Sequence, residues 1–556
     1  MAEETQRRAG HPKGALTVLA CGVWWVLGPS ACADARSEGG SAGPPSAASS
    51  SMPATLVGSA PSTASAAVPD AGAGDQPAGD RPPAADAWPP RPAPSDQTGD
   101  RIYSKVRHLW IRPAVHSRAW LGYLSLGDSV RVKDGNAEQA YVTKGDSENC
   151  QKWYAVEPEG FACTGRRATL DAQDEEIVEL RRTRADPTSP WPYHYGESLG
   201  VPVYNELPSK DAQGRREPGL EAYLDKVAQA QAAGSEEDRK AIDKRFFGMT
   251  FSATGKGPPK LLELGPGGRT LSTRVVRGST IAYTDSFDLE GRPFLLTWDR
   301  GIAPLDKVRP YPESPFQGVI LGGDHRLPIA FFRGEDRPQY RRTGAGDFEP
   351  TGNHFKRLSW IELTGTTAKQ DGETYEQTTK PDLWCARADA AIVRAVDEPP
   401  ARIAQRDEGR RTWLDISILG GTLVAYENRR PVYATLISPG RGGIPRRGVP
   451  TLDTASTPTG QFPVVGKFLT ATMVSGSISD LVHAEVQYTQ NFDGPYALHG
   501  AYWHDRFGEK KSGGCVNLSP IDSMRIFAWT EPALPLGWHG LRTATFGHKT
   551  LLQLHR

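Results

Sequence analysis

His499, Gly500, Ser512, Gly513, Gly514, Cys515 and Asn517 fall within one short stretch near the C-terminus. A thiol nucleophile needs a base within hydrogen-bond reach and donors for the oxyanion it creates, and this stretch offers both. The glycine pair removes side-chain bulk, so the backbone can turn tightly and present the Gly514 and Cys515 N–H groups to a carbonyl. A free thiol has a pKa of about 8.5, and a neighbouring imidazolium is the usual means of populating thiolate near neutrality. His499 is the favoured partner. A second chemistry, with His499, His504 and Cys515 as three zinc ligands, is one that catalytic zinc can use. The step from 499 to 504 aligns the two imidazoles on neither a helix face nor a strand face, so no metal or cofactor is expected.

The string YALHGAYWHDRFGEKKSGGCVNLSP resembles the catalytic signature of the L,D-transpeptidases, the YkuD family. Upstream, the runs from Trp413 to Ser417, Thr422 to Tyr426, Val432 to Ser438 and Thr457 to Phe462 are similar to that family's opening strands. The likeness covers about 401–556. It implies that Cys515 is the nucleophile, that His499 carries the proton, and that the Gly500 carbonyl orients the imidazole in place of an Asp. Gly513 stands where the family usually has a second histidine, which implies retained activity with altered substrate fit. Ser512 and Asn517 match family positions and are expected to support the loop. Tyr496, Tyr502 and Trp503 are candidates for the groove that holds the peptide, or equally for core aromatics.

The elements that must carry this site lie in a long chain of 556 residues, room for two to four domains. Arg7, Arg8 and Lys13 precede an apolar run from Gly14 to Leu27, too short to span a bilayer of about 30 Å and fitting a signal peptide over 1–32. Cys32 after Ser30 and Ala31 resembles a lipoprotein acylation site, with Cys21 as a competitor and ordinary cleavage as the alternative. From 33 to 100 the chain is Ala, Pro, Ser, Gly and Asp, which cannot bury enough apolar surface to order itself. It reads as a flexible linker with an end-to-end distance of about 45 Å.

Over 101–170, short alternating apolar runs split by glycine turns argue a small β-barrel and resemble bacterial SH3-like modules. Cys150 and Cys163 flank its last hairpin and can pair in an oxidising compartment. The accessory region 171–400 reads as α+β, with further small β modules and a helical hairpin near 218–247. There Leu220, Leu224 and Val227 make one stripe, and Ser235 to Asp238 opens a second helix. The glycines at 265–268 lack the ending of a phosphate loop and read as a turn, and Cys385 reads as a buried apolar residue.

The fold class expected is therefore mainly β and multidomain, with the β-rich catalytic domain at 401–556. Lys plus Arg and Asp plus Glu each number 65, and nothing in this balance suggests a nucleic-acid binder. Localisation is expected in the periplasm or cell envelope, as a lipid-anchored monomer. The resemblance implies attack on peptidoglycan tetrapeptide stems through a thioester, giving 3→3 crosslinks or protein attachment to the wall. Water as acceptor would make it an L,D-carboxypeptidase, and loss of activity would leave a wall-binding scaffold.

Overall fold

The computed structural model describes residues 98–232, 256–258, 274–406, 409–474, 481–544 and 546–556. The expectations for the signal segment with Cys21 and Cys32, for nearly all of the linker, for the helix opening at Ser235 and for the turn at 265–269 lie outside those residues. Strands dominate the rest.

In the N-terminal part, Arg101–Ser104 pairs with Ser129–Arg131 and Ala168–Thr169 in one antiparallel sheet, and Tyr141–Ser147, Cys150–Ala155 and Phe161–Thr164 form another. Cys150 and Cys163 are bonded across the second, with S–S 1.97 Å and Cα atoms 5.4 Å apart. Ile102, Ile111, Leu124, Val130 and Tyr154 make a common core. That core also takes in Trp538 and Leu541 from the far end of the chain. The hairpin of Leu109–Ile111 and Gly122–Leu124 accounts for this, because Gly122 and Tyr123 pair with Leu541 and Gly540. The segment 101–170 is thus continuous with the C-terminal region through a shared sheet.

The accessory region builds two sheets. His194–Ser198, Thr280–Leu289, Arg292–Thr297, Ile302–Pro304 and Val308–Pro310 form five antiparallel strands. A seven-stranded sheet running from Ile329–Phe332 to Ala390–Val393 follows, with Cys385 fully buried in its core. Two helices sit beside the five-stranded sheet, Lys210–Arg216 and Leu220–Ala232. The first was not expected from sequence. Its N-terminus is fixed by Ser209, whose hydroxyl accepts the Ala212 N–H, while its exposed polar face leaves no apolar stripe to read.

The C-terminal region contributes ten strands: β1 Thr412–Ser417, β2 Thr422–Glu427, β3 Arg430–Leu436, β4 Gly460–Pro463, β5 Gly466–Val474, β6 Val482–Asp493, β7 Tyr496–Gly500, β8 Val516–Leu518, β9 Gly540–Arg542 and β10 Leu551–His555. One sheet has the order Val319–Ile320, β3, β2, β1, β10, β4. The other runs from the N-terminal hairpin through β9, β5, β6 and β7 to β8. Alternation sends Leu414 and Ile416 from β1 and Leu498, Val516 and Leu518 from β7 and β8 into one layer between the sheets. Helix α1, Pro520–Trp529, closes the layer with Ile526 and Trp529. It starts where the Ser519 hydroxyl accepts the Asp522 N–H, with proline in the first turn. Asp522, fully buried, accepts from the Tyr433 and Thr435 hydroxyls and the Gly318 amide, which ties the helix to the first sheet.

Candidate active site

Strands β7 and β8 run parallel with His499 opposite Asn517. Side chains alternate along a strand, so Cys515, two residues before Asn517, shares a face with both. The other face carries Leu498, Val516 and Leu518 into the core. Chemistry and packing are separated by the pleat alone.

The turn before Cys515 depends on a glycine. Gly514 has φ +133°, and a Cβ there would come within 2.5 Å of the Tyr496 ring and 3.0 Å of the Ser456 carbonyl oxygen. Ser512 Oγ locks the turn by accepting the Gly514 N–H at 3.0 Å and donating to the Cys515 carbonyl at 2.5 Å. This corrects one expectation: the Gly514 amide, read as an oxyanion donor, is engaged by Ser512 in this structure. The Asn517 backbone exchanges both hydrogen bonds with Ser438, and its Nδ2 lies 3.1 Å from His504 Nε2. Both residues support the loop.

His499 is fully buried, and its Nδ1 lies 2.9 Å from the Gly500 carbonyl. A carbonyl can only accept, so the proton sits on Nδ1 and Nε2 keeps its lone pair. That Nε2 is buried with no hydrogen-bond partner among the described residues. Burial lowers the imidazole to about 4, with the Gly500 contact opposing, so the ring is neutral at physiological pH. Cys515 is also fully buried, with the Ala497 N–H 3.4 Å from its sulfur. A thiolate there would place an anion on the face that His499 shares and raise the imidazole again.

The aromatic candidates divide. Tyr496 is buried, packs on the Gly514 turn, and donates its hydroxyl to Thr451 Oγ1 at 2.5 Å. Tyr502 belongs to the join with the accessory region. Its ring stacks on Tyr195 with centroids 3.7 Å apart, and its hydroxyl donates to the Ala484 carbonyl and lies 2.6 Å from Thr280 Oγ1. Tyr502 is thus a core aromatic rather than a groove residue. Trp503 is half-buried between two imidazoles, 5.9 Å from His499 and 4.4 Å from His483.

Tyr193, Tyr195 and Ala282 of the accessory region share one apolar cluster with Cys515, Ala497 and Tyr502, so that region walls the face on which Cys515 sits. It also braces the loop after β7. Arg333 donates to the Gly508 carbonyl at 2.8 Å and the Gly420 carbonyl at 2.6 Å, and Arg357 pairs with Asp505. Sequence reasoning missed Tyr195, Thr280, Arg333 and His483 because each arrives by tertiary pairing, with no local signature. Among the described residues, no group of three or more His, Cys, Asp and Glu side chains is arranged to hold a metal ion.

Known proteins resemble this region. No curated relative matches the chain. A mutant of the Enterococcus faecium L,D-transpeptidase is 18% identical over 26% of this chain and 49% of its own, with TM-score 0.20. An L,D-transpeptidase from Stackebrandtia nassauensis is 20% identical over 28% of this chain and 63% of its own, with TM-score 0.18. One from Mycobacterium tuberculosis H37Rv is 15% identical over 35% of this chain and 77% of its own, with TM-score 0.20. At these values the structural likenesses carry no weight of their own. The first two matches span less than two thirds of those chains. Residues 411–536, which hold His499, Cys515 and the strands beneath them, match the family model of the YkuD L,D-transpeptidase catalytic domain.

Proposed function

We propose that this protein is a cysteine-dependent L,D-transpeptidase acting on peptidoglycan tetrapeptide stems. The observation that carries the reading is the His499 geometry: Nδ1 is fixed on the Gly500 carbonyl and Nε2 is left bare, on the same face as Cys515, within the segment that the family model matches. The reactive form is the reduced one. His499 Nε2 takes the Cys515 proton as sulfur attacks the carbonyl of the amide between an L-centre and the terminal D-residue. The C–N bond breaks, the proton passes to the departing amine, and a thioester remains on Cys515. An acceptor amine then deprotonates on His499, forms the new amide and returns the thiol. A stem-peptide amine gives a crosslink, a protein amine gives attachment to the wall, and water gives carboxypeptidase activity.

A neutral His499 suits the first step, because it begins as an acceptor. Desolvation holds the resting imidazole uncharged, ready to take the thiol proton as substrate charge develops. Gly513 keeps the turn before Cys515 free of a side chain, so the box itself supplies no second imidazole. The rest of the reading follows the sequence: export by 1–32, a lipid anchor at Cys32, a flexible reach through 33–100, an SH3-like wall-binding role for 101–170, and a monomer in the cell envelope.

The test uses the reduced full-length protein with a disaccharide-tetrapeptide, followed by intact mass and analysis of released D-Ala and dimers. An acyl adduct that is absent in Cys515→Ala is expected. His499→Ala should keep the fold and lose acylation by about a hundredfold or more. No adduct on reduced parent protein leaves a non-catalytic scaffold, and an adduct that persists in Cys515→Ala removes the cysteine mechanism.

A further inference from the structure

His483 is an imidazole that neither the sequence reading nor the family signature assigns. It is the second residue of β6, 6% exposed, and its Nδ1 is buried with no hydrogen-bond partner among the described residues. Buried polar groups are nearly always paired, so an unpaired buried nitrogen calls for a partner. The ring lies against Trp503, 4.4 Å between centroids and 26° between planes. His499 meets the same indole at 5.9 Å and 34°. One tryptophan therefore stands between two imidazoles, each with an orphaned nitrogen, beside the face of Cys515.

The accessory region fixes this imidazole in place. Ser279 Oγ accepts the Val482 N–H at 3.0 Å, and Thr280 Oγ1 accepts the Ala484 N–H at 2.8 Å. The residues on both sides of His483 are thus held by hydroxyls from a strand some two hundred residues earlier. Thr280 reaches Tyr502 as well, one residue before Trp503, so a single side chain connects the two partners of the stack. A surface hydroxyl pair would do none of this, and here Ser279, Thr280 and Tyr502 are all buried.

We infer that His483 is a substrate-contacting residue, whose Nδ1 hydrogen-bonds a polar group of the bound peptide and so provides, from β6, the second imidazole that Gly513 does not. The inference rests on the proposed acylation of Cys515 and specifies how its substrate is held. Trp503 sets the ring plane, and the Ser279 and Thr280 clamp sets the height of the strand. The interaction involves no bond making: the neutral ring offers one nitrogen to the peptide and takes part in no proton transfer.

The experiment compares three variants of the reduced full-length protein with the disaccharide-tetrapeptide as probe, reading the acylation rate by intact mass, KM against kcat, and Tm. His483→Phe keeps a ring on Trp503 and loses the nitrogen. His483→Asn returns a polar atom near the Nδ1 position, and His483→Gln returns one near Nε2. Expected is a loss of about tenfold in kcat/KM for the Phe variant at unchanged or raised Tm, with Asn recovering more than Gln. Parent-like rates in the Phe variant overturn the inference, as does an Asn variant no better than Phe. Should the Phe variant fail to fold, the Asn and Gln pair decides alone, and equal rates for the two sink the proposal. Failure of the parent to acylate at all would instead defeat the underlying reading of Cys515.

Discussion

Desolvation, more than any ion pair, sets the properties of His499 and His483. Both imidazoles are pushed down to about 4, chiefly by burial, and the second feels the first across Trp503. A histidine with a folded pKa below its unfolded value of about 6.5 stabilises the fold above that value and loses the contribution as pH falls toward the folded one. Acidification from pH 7 to 5 should therefore lower Tm. His483→Phe should flatten that slope, since one of the titrating groups is gone, and thermal melts at the two pH values check it. An unchanged slope would mean that the ring is already charged in the folded protein. The proposed base and nucleophile, His499 and Cys515, are read from their types and spacing, and the structure sets them on one face of β7 and β8. What spacing could not supply was the engagement of the Gly514 amide by Ser512, or His483. Each depends on which strand lies beside which.

Strands were easier to read than their partners. The likeness to the family's opening strands located β1, β2 and β3. Period two says nothing about pairing, and within the segment 101–170, expected as a small β-barrel, the hairpin of Leu109–Ile111 and Gly122–Leu124 extends the sheet of β9. Helices fared worse where they were short. Of the expected stripe, Leu220 is buried and Leu224 half-buried, and the Val227 side chain lies outside those described. Within the C-terminal region, one buried cation holds helix to strand. Lys467 of β5 is fully buried and donates to the carbonyls of Phe527 and Thr530, at 2.6 and 2.8 Å, where α1 ends. Burial lowers its ammonium to about 7. The Phe527 carbonyl also accepts from the Thr530 hydroxyl. Lys467→Met should destabilise by about 1 kcal/mol or more, read from urea unfolding, because it leaves the buried Thr530 carbonyl without its donor. A neutral result would show that water replaces the ammonium.

At the scale of the whole chain, the C-terminal region is not free-standing. Val319–Ile320 completes one of its sheets, the N-terminal hairpin completes the other, and Tyr195 covers Tyr502 beside the site. A fragment of 401–556 alone should melt at least several degrees below the full chain and bind a hydrophobic dye, since it uncovers the edges of β3 and β9 together with the apolar cluster around Cys515. A fragment as stable as the parent would show that these joins are incidental. The pairing of Gly122 and Tyr123 with Gly540 and Leu541 also bears on how the protein is made. The hairpin at Gly122 acquires its neighbour only once Gly540 and Leu541, more than four hundred residues later, have left the ribosome. Closing so long a loop is slow, and until it closes the early hairpin offers a bare backbone edge to any passing strand. Completion of this sheet is therefore a late event, and whatever keeps the hairpin from aggregating must attend it until β9 arrives.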